Sequence, residues 1–372
     1  MDFLYLSEED MIRAGVKDMA RCVDTMEETF RLLHRGDYRL GGPNNSDHGL
    51  RTRFPKESDI PDMPLDAPGR WFTAMPAYLG GKYHCFGFKT YGANQENTKH
   101  GMPRSVLMMQ LLDVETGAPL AFMSANILSA MRTGAVSGLL AKYCAPKHAK
   151  KLAVIGPGVM GRYSMDAVMT VCPEIEAISI LGRSQRSRDS FRAYCERQGY
   201  PMAQFSDCGS ITEACRDADV IITASTQASH FGEYPLLEKG AIKQGACVIV
   251  TSAVRIDRSY SDEMDSPCVF VADDKRMYRE NRGIDAQPET EEEKKTVTVK
   301  GALSEWLEAG KSVLNLPELV EDPGFVRDEK KTYICASGGI PIEDVSWAWE
   351  CYEKARQTDI GEKLVLWGES AL

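Results

Sequence analysis

One ten-residue stretch constrains the fold more than any other. Residues 152–161 read LAVIGPGVMG. The run LAVI lacks polar alternation, as a strand buried on both faces requires. Gly156, Gly158 and Gly161 then fill the pattern GxGxxG ahead of a helical stretch. Glycine is common, so the pattern alone is weak. Its place between a buried strand and a helix gives it meaning. Gly156 permits the tight turn, Gly158 lets the backbone approach a pyrophosphate, and Gly161 lets helix pack closely on strand. Pro157, Val159 and Met160 complete the turn, and the phosphates would sit at the positive helix N-terminus.

The strand–helix unit repeats. AISIL at 177–181 precedes a helix near 187–198, and AQF at 203–205 precedes one near 210–217. VIITAS at 220–225, CVIVTS at 247–252 and CVFVAD at 268–273 continue the series. Strands alternating with helices predict a Rossmann-type parallel sheet with right-handed crossovers. Ligands of such sheets lie outside the carboxyl ends of the strands, which assigns Thr223, Ala224, Ser225, Thr226 and Ser252 to a cofactor site.

The first 125 residues follow a different grammar. Phe3 to Leu6 reads as a strand, and Ser7 before Glu8, Glu9 and Asp10 as a helix cap with an acidic first turn. The helical pattern continues through Val23, Met26, Phe30 and Leu33. Residues 41–70 are rich in Gly, Pro, Asn and Asp and read as a long loop of the kind that lines a site. Residues 71–124 alternate apolar and polar between turn signals and read as antiparallel strands. Residues 126–143 have the small-residue composition of a closely packed helix. The helix around 343–356 carries an apolar stripe at Val345, Ala348, Trp349 and Tyr352 that reads as core. The charge run at 287–295 reads as solvated surface.

Composition narrows the class. Of 372 residues, 43% are hydrophobic and 31 are glycine, which excludes a disordered chain and a coiled coil. The net charge of −10 and the lack of a basic stripe point away from nucleic acid. Eleven scattered cysteines without a CxxC pair predict reduced, mostly buried thiols and no metal site. No apolar run reaches the ~18 residues a membrane span needs, and a cytoplasmic protein is expected.

The second strand of the parallel sheet should end in a residue that reads the adenosine ribose. NAD binders place a carboxylate there. This strand ends Leu181-Gly182-Arg183-Ser184, with Arg186 and Arg188 nearby. Arginine and a hydroxyl suit a 2′-phosphate, so NADP(H) is favoured and NAD(H) remains open. Two further cations stand out. Lys89 lies among Phe86, Phe88 and Tyr91 on a half-buried strand, so it should be paired or have a lowered pKa, unless it alternates outward to solvent. Arg132 lies in a run of small apolar residues and needs an anionic partner, either a ligand carboxylate or a structural salt bridge.

The segment FGFKTYGANQENTKHGMPRSVLMMQLLDVETGAPLAFMSANILSAMRTGAVSGLLAKY, followed by LAVIGPGVMG, resembles the ornithine cyclodeaminase/mu-crystallin family, as does the closing SGGIPIEDVSWAWECYEKARQTDIGEKLVL. The 41–70 insertion and the Gly-Arg-Ser strand end look most like the members named after tyramine oxidase. The resemblance implies a Rossmann-type domain, 127–325, inserted in an α+β substrate and dimerisation domain formed by 1–126 and 326–372. It implies a homodimer, and the sheet segments 71–91 and 104–124 would otherwise leave an exposed edge. It also implies a small amino-acid or imine substrate bearing a carboxylate. It matches Lys89 to a catalytic lysine near the nicotinamide and Arg132, with Lys89 and Met75, to the substrate site. Thr133 would contact the cofactor. Arg51, Arg53 and Arg70 are candidates for a second carboxylate ligand. Two cations facing one interdomain cleft would repel, and a substrate carboxylate would relieve that repulsion.

One departure bears on the reaction. True cyclodeaminases carry a catalytic Asp in a GxD segment, where this chain reads Val250-Thr251-Ser252-Ala253-Val254-Arg255-Ile256-Asp257. The Asp is missing and Asp257 is off register. That favours simple hydride transfer at a C–N bond over ring-closing deamination. A bound-NAD cyclodeaminase and a non-catalytic dinucleotide-binding accessory protein are the alternatives, separated by net redox turnover.

Overall fold

The computed structural model describes the chain except residues 43, 44, 46, 47, 68, 203, 227, 229, 263–267, 281–286, 371 and 372. The first part runs β1 (Asp2–Leu6), α1 (Glu8–Arg13), α2 (Met19–Arg35), β2 (Tyr38–Leu40), β3 (Leu50–Thr52), β4 (Trp71–Leu79), β5 (Cys85–Ala93), β6 (Ser105–Asp113), β7 (Pro119–Ser124) and α3 (Asn126–Cys144). Next come β8 (Lys151–Ile155), α4 (Val159–Val171), β9 (Ala177–Leu181), α5 (Gln185–Gln198), β10 (Phe205–Asp207), α6 (Ile211–Cys215), β11 (Val220–Thr223), β12 (Leu236–Leu237), β13 (Cys247–Val250), β14 (Arg255–Asp257) and β15 (Cys268–Ala272). The rest is α7 (Lys275–Glu280), β16 (Thr296–Thr298), α8 (Val299–Glu308), β17 (Leu314–Asn315), α9 (Leu316–Glu321), β18 (Thr332–Ala336), α10 (Pro341–Gln357) and β19 (Glu362–Val365).

The chain divides into two compact units, Met1–Arg132 with Gly339–Leu372, and Thr133–Gly338. The expected boundaries at 126/127 and 325/326 shift for physical reasons. The first division falls inside α3, whose opening residues belong to the first unit. The second falls after β18, because β18 pairs with β13 and β15 inside the parallel sheet.

The first unit is built on a sheet ordered β19-β1-β7-β6-β5-β4-β2, with β3 also on β4. Its pairs are antiparallel except β1 with β7. α10 packs on β4, β5 and β6, and α2 packs on α10. Ser7 caps α1, as its sequence position predicts. The expected single helix is broken, because Gly15 takes a positive φ of 86° and Asp18 caps a new helix at Met19. Trp347, outside the predicted stripe, is the largest fully buried side chain of α10 and donates to Val16 O, while Trp349 and Tyr352 are half-buried.

The second unit is a parallel sheet ordered β10-β9-β8-β11-β13-β18-β15-β17. Its core is built from the buried runs of β8 (from Leu152), β11, β13 and β18. Chain order reverses direction between β8 and β11, which marks the ligand crevice of such a sheet. Of the segment AQF at 203–205, Ala203 lies outside the described residues and Phe205 opens β10. All eleven cysteines are free thiols. No described helix is long and apolar enough to cross a membrane.

Candidate active site

In the first unit, four charged side chains meet out of contact with water. β5 alternates, and Lys89 falls on its inward face with Cys85 and Gly87, leaving it 2% exposed. Phe86 and Phe88 take the other face and remain half-buried. The Lys89 ammonium donates to both carboxylate oxygens of Asp344, at 2.9 and 2.8 Å, and to Ser129 Oγ at 3.0 Å. Arg132, one turn after Ser129 on α3, donates from Nε to Asp344 Oδ1 at 2.9 Å and from Nη1 to Glu343 Oε2 at 2.6 Å. Among the described residues its Nη2 has no hydrogen-bond partner. Met75, directly opposite Lys89 on β4, is also buried.

The two carboxylates are fixed by the start of α10. Pro341 stands in the first turn, where its missing N–H costs nothing. Glu343 Oε1 accepts from the Ile340 N–H at 3.0 Å while its other oxygen faces Arg132. Both acids also sit at the positive end of the helix dipole. Two cations and two anions therefore balance. This corrects the expectation that a substrate carboxylate must relieve repulsion between Lys89 and Arg132, because Glu343 and Asp344 already do so. The salt-bridge account of Arg132 is realised, and the unused Nη2 is what remains for a ligand.

Burial and the adjacent guanidinium push the Lys89 ammonium down from its ordinary value to about 8, against the pull of Asp344. Burial also opposes the charge on Arg132, but the two carboxylates outweigh it and hold Arg132 above its ordinary value. Lys89 is thus poised where it can give or take a proton near neutrality. Arg51 lies over the Trp71 ring at 4.9 Å, Arg70 donates to Leu65 O and Arg53 is exposed. None of the three joins the cluster among the described residues.

The second unit holds the glycine turn. Gly156 adopts φ +95°, and a Cβ there would lie 2.7 Å from the Ala224 and Ser225 backbone. A Cβ on Gly161 would lie 2.4 Å from Gly156 O. Gly158 caps α4 with no side-chain bond, and a Cβ there would meet open space. That is the cradle a pyrophosphate needs: an uncapped helix N-terminus approached over bare backbone. Val159 is exposed at the first position of α4. Gly182 packs against Pro157 and Arg188, whose guanidinium is committed to Asp207 and Gly182 O. Ser184 caps α5, and Arg183 is exposed with no hydrogen-bond or ion-pair partner among the described residues. At the strand ends, Ser225 and Ser252 hydroxyls lie 3.2 Å apart. Among the described residues Thr223 Oγ1 is buried without a partner, an orphan that a polar ligand edge would satisfy. Thr226 is exposed beside them. Asp257 caps its own turn through Ser259, and the end of β13 carries Thr251 and Ser252 rather than a carboxylate.

The ornithine cyclodeaminase/mu-crystallin family model matches residues 15–359. This chain belongs to that family. N-((2S)-2-amino-2-carboxyethyl)-L-glutamate dehydrogenase of Staphylococcus aureus (strain NCTC 8325 / PS 47) is 28% identical, over 98% of this chain and 99% of that protein. The Thermococcus litoralis Δ1-pyrroline-2-carboxylate reductase, solved with NADH and L-proline, is 24% identical with a TM-score of 0.73, over 97% of this chain and 99% of that one. An archaeal alanine dehydrogenase dimer with bound NAD gives a TM-score of 0.75 at 22% identity, over 99% of this chain and 100% of that one. These relatives are dehydrogenases and reductases of amino-acid or imine substrates.

Proposed function

We propose that this chain is an oxidoreductase that uses a nicotinamide dinucleotide to reduce or form the C–N double bond of an imine or amino acid bearing a carboxylate. The observation that carries the reading is Lys89, an ammonium sealed in the core with its pKa lowered to about 8, beside a guanidinium with one unused nitrogen. When bound, the nicotinamide supplies or accepts the hydride. Arg132 Nη2 would hold the substrate carboxylate, which disfavours a simple amine such as tyramine, the substrate that the narrower likeness would imply. Lys89 would deliver the proton to the substrate nitrogen in reduction and remove it in oxidation. Gly156, Pro157, Gly158, Val159, Met160 and Gly161, with Thr223–Thr226, Ser252 and Thr133, would hold the dinucleotide. The absence of a carboxylate at the end of β13 speaks against ring-closing deamination.

The test is steady turnover of the nicotinamide absorbance with a cyclic imino carboxylate and reduced cofactor. Reduction needs the ammonium form of Lys89, so its rate should fall as pH rises through about 8. Amino-acid oxidation needs the neutral amine and should rise through the same pH. Ammonia release without net redox change would overturn the reading in favour of a cyclodeaminase, and binding without turnover in favour of a non-catalytic accessory protein.

NADP(H) over NAD(H) is the finer proposal, supported by the unpartnered Arg183 at the end of β9. Arg183→Ala should weaken NADP binding about tenfold or more, the worth of one charge-assisted phosphate contact, and leave NAD nearly unchanged. Equal loss for both cofactors would remove the 2′-phosphate role.

A homodimer through the first unit is also proposed. Exposed edges of β4–β7 cannot drive it as expected, because β2, β3 and β1 flank those strands. The face supports it instead. Phe72, Val106 and Met108 are 54%, 48% and 41% exposed on β4 and β6, a clustering that marks an interaction surface. Light scattering at micromolar concentration should report twice the 41.3 kDa chain mass, and a monomer would refute it.

A further inference from the structure

The bonding of Lys89 leaves one route for its proton, and the inference drawn from it rests on the acid–base role assigned above. An ammonium has three N–H bonds. Two end on the Asp344 carboxylate and the third on Ser129 Oγ. Asp344 Oδ1 is shared with Arg132 Nε at 2.9 Å. A proton passed to Asp344 would stay inside a cluster at most 5% exposed and would cancel the charge that Arg132 needs. Ser129 is different. It is half-buried, it stands on α3 at the margin of the cluster, and a hydroxyl accepts one proton while giving up another.

We propose that Ser129 is the proton relay between Lys89 and the substrate nitrogen. In the reductive direction the Ser129 O–H bond breaks and an N–H bond forms on the imine, while a Lys89 N–H bond breaks and renews the serine hydroxyl. The imine carbon takes the hydride, so the C=N π bond is lost and the amine forms. The reduced dinucleotide is the only species oxidised. Lys89 is left as the neutral amine and regains a proton from water through the same hydroxyl. Oxidation of the amine runs these transfers backwards. Asp344 does not move a proton in this scheme. It anchors the amine of Lys89 so that its third bond points at Ser129.

The experiment compares full-length wild type with Ser129→Ala, Ser129→Thr and Lys89→Met, using reduced cofactor and Δ1-pyrroline-2-carboxylate as the probe substrate. Ser129→Ala should lower kcat by about 10–100-fold, the lower part of the range for a general acid, with KM changed less than about threefold. It should also alter the solvent isotope effect on kcat, which a packing defect would not do. Ser129→Thr keeps the hydroxyl and should recover most of the rate. Ser129→Ala with wild-type kcat, or Ser129→Thr as slow as Ala, overturns the relay. If Lys89→Met loses turnover while Ser129→Ala keeps it, only the relay falls. A wild type inert to imines, or a Lys89→Met variant as fast as wild type, removes the acid–base role and the relay with it.

Discussion

Replacing Arg132 with leucine should destabilise the protein by about 3–5 kcal/mol, the cost of breaking a buried charge pair by removing one partner. The figure is large because Arg132 serves two carboxylates. Its loss leaves Glu343 Oε2 without its 2.6 Å partner and leaves Asp344 to Lys89 alone, with both acids at most 1% exposed. Water cannot reach in to solvate them, so the uncompensated charge is felt in full. Arg132→Lys should recover part of the loss. It restores the charge, but a point ammonium lacks the rigid fork that reaches both acids at once. Urea unfolding of the two variants measures the difference. A Leu variant within about 1 kcal/mol of wild type would mean that the cluster is solvated and the buried-pair account is wrong. Catalysis reads the substrate-binding role proposed for the residue. Arg132→Lys should raise KM for carboxylate substrates more than it lowers kcat, because the contact is a binding one.

The dinucleotide unit is legible in the sequence because its information is local. A strand buried on both faces must be apolar in its run, and Leu152–Ile155 of β8, Val220–Ile222 of β11 and Cys247–Val250 of β13 read that way. Gly156 and Gly161 are glycines because neighbouring backbone occupies the place of a side chain. The buried charged cluster is only half legible. Lys89 and Arg132 stand out as charges in apolar surroundings. Glu343 and Asp344 do not, because acids in the first turn of a helix are an ordinary surface signal. Their partners lie more than 200 positions away in the chain, and no local pattern encodes that pairing. The signal that marks them is their setting, two acids between Ile340-Pro341-Ile342 and Val345, where a solvated helix start would be polar. Ser129 carries no signal of its own. It becomes visible only when the three N–H bonds of Lys89 are counted.

Gly156 and Gly158 should respond to the same substitution in opposite ways, and the contrast separates fold from cofactor chemistry. Gly156→Ala puts a methyl group against the Ala224 backbone at 2.7 Å and forces alanine to φ +95°. Backbone strain of that kind costs about 1–3 kcal/mol before any clash is counted, so stability should fall even without ligand. Gly158→Ala meets nothing within 4 Å, at a φ of −88° that alanine adopts freely. Its cost to the unbound protein should stay below about 1 kcal/mol, the small penalty of alanine at a helix cap. The methyl group would instead stand where a dinucleotide pyrophosphate is proposed to approach the N-terminus of α4. Dinucleotide affinity should therefore drop by about 10–100-fold, or roughly 1.4–2.8 kcal/mol. Calorimetric titration of both variants with NAD and NADP, beside ligand-free melting curves, gives the affinities and stabilities needed. Undiminished affinity in Gly158→Ala would take the dinucleotide away from this turn, whatever its sequence pattern. A loss of ligand-free stability equal to that of Gly156→Ala would mean that the space above Gly158 is filled by the protein itself.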